Sequence, residues 1–217
     1  MVNLKKLEEE QLKLAKKIFL KDSFDKLELI GGVDQAYTQD DVISAIVICD
    51  YKTMEVKEKV FAMAKTKVPY IPGFLAYREG PAISEAYANL KEKPDIMIFD
   101  GNGALHPKRC GLASHMGVLL DQASIGIAKQ LLVGEVKDNI VYVGKEARGE
   151  LIMTREHSKP IYVSPGHKIS LKTSVEIVKK CLKFPHKLPE PLHLAHRYSN
   201  EIRDKIAKGI PNVEVKD

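Results

Sequence analysis

Cysteine is scarce in this chain of 217 residues, and its three copies, Cys49, Cys110 and Cys181, have no paired spacing. An odd number of cysteines without such a pattern argues against a disulfide framework. Cys49 ends the apolar run 46–49. Since a free cysteine behaves as a small apolar side chain, we predict a buried thiol there.

Long apolar runs are missing as well. No stretch reaches the roughly 18 apolar residues that suggest a membrane-spanning helix, and the first residues are rich in Lys and Glu. We therefore expect a cytoplasmic protein that does not associate with membranes. The formal net charge of +5 is only mildly basic, so it permits binding to a phosphate backbone without requiring it.

Apolar residues make up 44% of the sequence, which is enough for one sizeable core. The chain has no repeat, low-complexity segment or linker, so we expect residues 1–217 to form a single domain. Residues 3–20 have the spacing of an amphipathic helix that packs on this domain. Three β-type runs follow at 27–33, 42–49 and 55–64, and their short connections predict antiparallel pairing.

The pattern changes at Gly80-Pro81, which we interpret as a break in the chain. Beyond it, helical and strand-like segments alternate. The predicted helices are 83–90, 114–123, 171–182 and 192–207, and the predicted strands are 96–99, 125–133, 140–143 and 160–163. This order indicates an α/β fold with a ribonuclease-H-like mixed sheet, in which three antiparallel strands are followed by parallel strands, with helices on both faces.

Two aspartates follow predicted strands, Asp34 after 27–33 and Asp100 after 96–99, and Glu79 precedes the predicted helix at 83–90. If the two strands are neighbours, these carboxylates converge at one edge of the sheet. Clustered carboxylates repel one another unless a cation lies between them, and Mg²⁺ or Mn²⁺ prefers such oxygen ligands. The alternative is that each Asp is an ordinary turn residue.

The segments around these acids resemble the endonuclease V family. The matching segments are 32–37 (GVDQAY), 68–81 (VPYIPGFLAYREGP), 100–107 (DGNGALHP), 111–118 (GLASHMGV), 126–129 (GIAK) and 163–167 (VSPGH). The resemblance covers nearly the whole chain. It implies a ribonuclease-H-like enzyme that uses Mg²⁺ or Mn²⁺ to cut one nucleotide on the 3′ side of inosine, leaving 3′-hydroxyl and 5′-phosphate ends.

The resemblance also implies roles for individual residues. Asp34 and Asp100 correspond to the principal metal ligands and Glu79 completes the acidic triad. Lys129 corresponds to an active-site lysine that steadies a phosphate, although a surface ion pair is the alternative. His196 is the candidate for a ligand or a water-orienting group, with His193 as its competitor.

The resemblance and the local sequence together indicate how a base is recognised. Pro69-Tyr70-Ile71-Pro72 is held rigid by a proline at each end, which suits a wedge that separates strands. The alternative is a stiff surface turn with a buried tyrosine. Gly73, Leu75 and Gly101 could present backbone groups to a flipped hypoxanthine, and His106 could orient a carboxylate or phosphate.

These observations predict a monomeric, metal-dependent deoxyribonuclease that acts on DNA containing deoxyinosine, with inosine-containing RNA as a second possible substrate. An inosine-specific ribonuclease, a structure-specific nuclease without base preference and an inert binding module on the same fold remain as alternatives. Gly101-Asn102-Gly103 lacks the Lys-Ser/Thr pair of a phosphate-binding loop, and the basic run 179–187 is interpreted as a solvated surface.

Overall fold

A computed structural model describes residues 2–66, 68–156 and 158–209. Within these residues the chain forms nine strands and five helices. The strands are β1 (Leu29–Tyr37), β2 (Asp41–Asp50), β3 (Val56–Lys65), β4 (Ile96–Asp100), β5 (Ser124–Ala128), β6 (Glu135–Lys137), β7 (Ile140–Val143), β8 (Glu146–Ile152) and β9 (Ile161–His167). The helices are α1 (Leu4–Ala15), α2 (Leu75–Ala88), α3 (Leu112–Leu119), α4 (Leu171–Lys180) and α5 (Glu190–Ala207).

The strands form one mixed sheet in the order β3-β2-β1-β4-β5-β9-β8-β7-β6. The first three strands pair antiparallel, as predicted. β1, β4 and β5 are parallel in the middle of the sheet, and β9 to β6 continue it in antiparallel pairs. The predicted α/β fold with a mixed sheet is therefore confirmed, and its parallel part is limited to three central strands.

Helices cover both faces of the sheet, because side chains of the central strands alternate between two cores. Ile30, Ile96 and Ile98 pack with residues of α4 and α5 on one face. Met97 and Phe99 pack with residues of α2 and α3 on the other. α1 lies beside α3 and is tied to α2 by a hydrogen bond between its backbone and the Tyr77 hydroxyl.

Several predicted boundaries were wrong. Gly80-Pro81 does not break the chain but lies inside α2, which begins at Leu75 and therefore contains Glu79. The helix continues because Gly80 has no Cβ to collide with the proline ring and because its neighbours are buried on the sheet. β1 runs on to Tyr37, so Asp34 lies within this strand instead of after it. The strand predicted at 125–133 ends at Ala128.

Two strands were missed. β6 is short and fully exposed, and β8 is rich in charged residues, so neither has the apolar alternation that predicts a strand. The helix predicted at 3–20 ends at Ala15.

The thiols agree with the expectation from the sequence. Cys49, Cys110 and Cys181 are buried and unpaired. Burial raises the pKa of the Cys49 thiol to about 11 and the pKa values of Cys110 and Cys181 to about 12, so all three stay protonated and inert near neutral pH. In the described part of the chain, no helix combines the length and the apolar character that crossing a membrane requires.

Helix α5 approaches β1 closely at Gly32. A Cβ atom on Gly32 would lie 2.1 Å from the carbonyl oxygen of Pro191 and 2.5 Å from the backbone nitrogen of Leu192. These are backbone atoms, so they cannot rotate away as a side chain would. A glycine at this position is thus what lets α5 lie directly on the strand that carries Asp34.

We predict that Gly32→Ala will destabilise the protein by about 3 kcal/mol, since overpacking against backbone forces α5 to shift. Urea unfolding followed by far-UV circular dichroism measures this loss. A midpoint equal to that of the unsubstituted protein would show that α5 does not depend on the close approach at Gly32.

Candidate active site

Asp34 and Asp100 lie side by side on neighbouring strands. β1 and β4 are parallel with Val33 opposite Phe99, so the next residues, Asp34 and Asp100, come level. Both side chains point to the face covered by α5, because they share the alternation of Ile30 and Ile98. The predicted convergence of these two carboxylates is therefore present, although it depends on strand register and not on strand ends.

Asp34 is held by helix α5. Its side chain is buried, the Ser199 hydroxyl donates a hydrogen bond of 2.8 Å to Oδ2, and the Nδ1 atom of His196 lies 3.1 Å from the same oxygen. Burial raises the pKa of Asp34 to about 6, the negative charge of Asp100 adds to this, and Ser199 and His196 oppose it. A carboxylate in this setting gains from any cation brought beside it.

The position of the two histidines distinguishes between them. His196 contacts Asp34, whereas His193 stacks on the ring of His186 at 3.6 Å between centroids. His193 is therefore occupied elsewhere, and His196 is the histidine that faces the carboxylates.

Lys129 lies directly after β5 and contacts Asp100, with 2.5 Å between Nζ and Oδ2. Lys129 therefore forms an ion pair, which is the alternative role that the sequence suggested for it. Its partner, however, is one of the two paired aspartates, so the cation lies at the carboxylate cluster. The lysine side chain is 44% exposed, which leaves part of its ammonium group accessible to an incoming anion.

Glu79 reaches the cluster from α2, on the other face of the sheet. It is buried, the Tyr37 hydroxyl donates a hydrogen bond to its Oε1, and its Oε2 is buried with no partner. Burial raises the pKa of Glu79 to about 8, the hydrogen bond from Tyr37 opposes this, and the charges of Asp100 and Asp34 raise it further. The charges of all three acids therefore influence one another. Asp34 and Asp100 also interact through a side-chain hydrogen bond, whereas Glu79 interacts with the two aspartates through charge alone.

The chemistry of these side chains suits a divalent cation, but their present arrangement does not form a complete metal site. Among the residues that the structure describes, no group of three or more His, Cys, Asp and Glu side chains is already arranged as a metal cage. The donor set is nevertheless made of hard oxygens, and the free Oε2 of Glu79 together with two repelling aspartates offers what Mg²⁺ or Mn²⁺ binds.

A cavity of about 220 Å³ lies on the opposite face of the sheet from the aspartates, beside α1, α2 and α3. Most of the predicted base-binding residues meet in its wall. They are Tyr70, Ile71, Pro72, Gly73, Leu75, Gly101 and His106; Pro69 is not part of the lining. The cavity is smaller than the roughly 300–1,000 Å³ of typical ligand pockets, so it can hold only a small ligand or part of a larger one.

Two of the predicted residues of this cavity, Tyr70 and His106, differ in their exposure to solvent. Tyr70 is 68% exposed at the rim, which contradicts the alternative of a buried tyrosine in a surface turn. His106 is buried in the wall, where burial lowers its pKa to about 4 and keeps the ring neutral. Its Nε2 borders Gly73, and its expected role in orienting a carboxylate or phosphate stays a prediction.

Sequence reasoning missed several residues of the site. Tyr37 and Ser199 each donate a hydrogen bond to one of the acids, and Gln11 of α1 lines the cavity. Tyr37 lies three residues after Asp34 and Ser199 three residues after His196, so proximity in sequence was the available signal. Gln11 had none, since it belongs to a helix that was interpreted as packing alone.

Comparison with known proteins identifies related chains. The sequence model of the endonuclease V family matches residues 12–197. Endonuclease V from Dictyoglomus thermophilum is 44% identical over 207 residues, covering 92% of this chain and 90% of the relative.

Two solved structures are similar along their whole length. Endonuclease V from Bacillus subtilis matches this chain with a TM-score of 0.88 at 33% sequence identity. The match covers 96% of this chain and 95% of the Bacillus subtilis chain. Endonuclease V from Ciona intestinalis was solved with a 24mer DNA containing an inosine followed by a ribo-adenosine. It matches this chain with a TM-score of 0.85 at 30% sequence identity, and the match covers 94% of this chain and 98% of the Ciona intestinalis chain.

We predict that the metal-free protein loses stability as the pH rises from 6.5 to 8. The folded pKa of Glu79 is above its ordinary value, so the folded state holds a proton that the unfolded state has released, and stability falls until the pH passes about 8. The buried His106 and His115 act in the opposite direction, but only below their ordinary pKa of 6.5. Thermal unfolding in EDTA measures the slope, which one proton limits to about 1.4 kcal/mol per pH unit.

Glu79→Gln should flatten this slope, since the amide does not titrate. Glu85→Gln on the exposed side of α2 is the matched control and should keep it. An unchanged slope in Glu79→Gln would contradict the burial of a protonated Glu79.

Proposed function

The chain belongs to the endonuclease V family, and from this premise we propose that it hydrolyses a phosphodiester bond of DNA one nucleotide on the 3′ side of deoxyinosine. The reaction leaves 3′-hydroxyl and 5′-phosphate ends and depends on Mg²⁺ or Mn²⁺. The single observation that carries the proposal is the pair of level aspartates, Asp34 and Asp100, on two neighbouring parallel strands, with a small cavity on the opposite face of the sheet.

Asp34 and Asp100 would hold the divalent cation, with Glu79 offering its free Oε2. Such an ion supplies the positive charge that the scissile phosphate and its leaving 3′ oxygen require. His196 orients Asp34 and, with its ring half exposed, is placed to hold a water or a phosphate oxygen. Lys129 steadies the negative charge that develops on the phosphate, because its ammonium group is already at Asp100.

Recognition of the base is assigned to the cavity and its rim. The exposed Tyr70 would stack in the place of the displaced base, which offsets part of the cost of turning the nucleotide out of the helix. Gly73 and Gly101 let the backbone approach the base. At Gly101 the space is already filled, since an added Cβ would lie 3.0 Å from the Leu112 side chain.

Inosine-containing RNA is a second candidate substrate. The observation that favours it is the relative from Ciona intestinalis, which was solved with a ribonucleotide directly after the inosine.

We further propose that one catalytic domain acts as a monomer. In support, the single sheet joins strands from Leu29 to His167, helix α5 packs on it, and helix α1 packs on α3.

We predict that Asp34→Ala and Asp100→Ala each abolish cleavage of an inosine-containing oligonucleotide while the protein stays folded, because each removes a carboxylate that the cation needs. Single-turnover assays on DNA and RNA versions, with Mg²⁺ and then with EDTA, measure this. Asp204→Ala, at an exposed position of α5, is the control and should be fully active. Near-normal cleavage by either site variant would refute the assignment, and equal cleavage of an undamaged oligonucleotide would refute base specificity.

We also predict that Tyr70→Ala will slow cleavage of inosine in duplex DNA by about tenfold or more and will affect a single-stranded substrate much less. The wedge is needed only where a stack must be opened, and stacking on an aromatic ring contributes about 1–3 kcal/mol. Parallel rate measurements on the two substrates give the ratio. Equal losses on both would mean that Tyr70 contacts the substrate without acting as a wedge.

A further inference from the structure

Gln11 of helix α1 connects the two sides of the cavity. Its Nε2 donates hydrogen bonds of 2.8 Å to the carbonyl oxygen of Gly73 and of 2.8 Å to the carbonyl oxygen of Cys110. The side chain is almost fully buried, with 1% of its surface exposed. Gln11 precedes residues 12–197, the part of the chain that the family's sequence model matches.

The two hydrogen bonds fix the orientation of the amide group. If the amide were turned over, its oxygen would face two carbonyl oxygens, and all three are acceptors. The Oε1 atom is therefore the group that points away from both carbonyls, and it is buried without a hydrogen-bond partner. A buried acceptor in this state is unfavourable, so a donor from a bound molecule would stabilise it.

A buried donor lies in the same wall. The Nδ1 atom of His106 accepts a hydrogen bond of 3.2 Å from the backbone of Lys108, so in the neutral ring the proton lies on Nε2. This Nε2 is buried and forms no full hydrogen bond, although the backbone of Gly73 lies close enough to raise the pKa of the ring in part. It borders Gly73, because a Cβ added to that glycine would lie 3.3 Å from it. The wall of the cavity thus contains an unpaired acceptor on Gln11 and, beside Gly73, a donor on His106.

A purine can match or oppose this pair. Hypoxanthine has a donor at N1–H next to an acceptor at O6. Adenine has the reverse, an acceptor at N1 and a donor at its amino group. A fixed acceptor facing N1 therefore attracts hypoxanthine and repels adenine, and a site with buried polar groups rejects such a mismatch strongly. Guanine has the same N1–H and O6 as hypoxanthine, so this contact does not separate those two bases.

We propose that Gln11 distinguishes hypoxanthine from adenine, its Oε1 accepting a hydrogen bond from the N1–H of a hypoxanthine in the cavity while the Nε2–H of His106 faces O6. This inference rests on the proposed function, since it assigns a role within the same base pocket. It also explains why a helix at the start of the chain is tied to the loop that carries Tyr70.

Binding without catalysis tests the proposal. Fluorescence anisotropy in EDTA measures the affinity of the protein for matched oligonucleotides that contain inosine, 7-deazainosine or nebularine, a purine with no group at position 6 and an acceptor at N1. The unsubstituted protein should bind inosine and 7-deazainosine alike and bind nebularine at least about tenfold more weakly. Equal affinity for inosine and nebularine would overturn the proposal without any variant.

Gln11→Met keeps the length of the side chain and removes the acceptor, so the ratio of the inosine and nebularine affinities should fall about tenfold. A purely structural role of Gln11 would weaken binding to both oligonucleotides and leave their ratio unchanged, which would also overturn the proposal. Leu12→Met, at the neighbouring exposed position of α1, is the control and should keep the ratio. Thermal unfolding of both variants checks that they fold.

The proposed cleavage activity is judged separately. If the protein binds inosine selectively but cuts no inosine-containing substrate with Mg²⁺ or Mn²⁺, the proposed function fails and the role of Gln11 stands. If it cuts inosine-containing DNA but the binding ratio does not change in Gln11→Met, the role of Gln11 fails and the proposed function stands.

Discussion

The mutual repulsion of Asp34 and Asp100 is the constraint on which the site depends. The register of two parallel strands places these carboxylates level, and the protein cannot separate them without slipping a strand, which would turn every side chain of that strand to the other face. Burial makes the repulsion stronger, because it removes the water that would screen it. Ser199, His196 and Lys129 each relieve part of this repulsion, and a divalent cation would relieve the rest.

The surrounding fold is arranged to hold this unfavourable pair in place. Helix α5 can reach Asp34 because Gly32, two residues earlier on the same side of β1, leaves room for its backbone. Helix α2 brings Glu79 from the other face, where the Tyr37 hydroxyl occupies one carboxylate oxygen and leaves the other free. Helix α5 therefore contacts β1 at Asp34 on one face of the sheet, and helix α2 contacts it at Tyr37 on the other. Each helix belongs to the hydrophobic core on its own face, so neither could move without repacking that core.

The sequence predicted the parts of this arrangement that repeat along the chain. Alternating apolar residues located the strands, and the position of Asp34 and Asp100 directly after two such strands predicted their convergence if the strands were neighbours. It did not predict that Glu79 lies inside a helix, because Gly-Pro usually ends one and only the packed neighbours of Pro81 override this tendency. Nor did it predict Gln11, since a hydrogen bond across 62 residues depends on where α1 docks, and no local pattern carries that information.

The two halves of the site are connected through a single peptide unit. Asp100 is the last residue of β4 and points to the face of α5, while Gly101 follows it and borders the cavity on the face of α3. The backbone N–H of Gly101 donates a hydrogen bond of 2.8 Å to the carbonyl oxygen of Ile127, which fixes this unit to β5. A carboxylate and a residue of the cavity wall are therefore consecutive on rigid backbone, and they cannot move independently. Under the proposed function, this link would hold a fixed distance between the recognised base and the phosphate to be cut, which is what cleavage at one defined position requires.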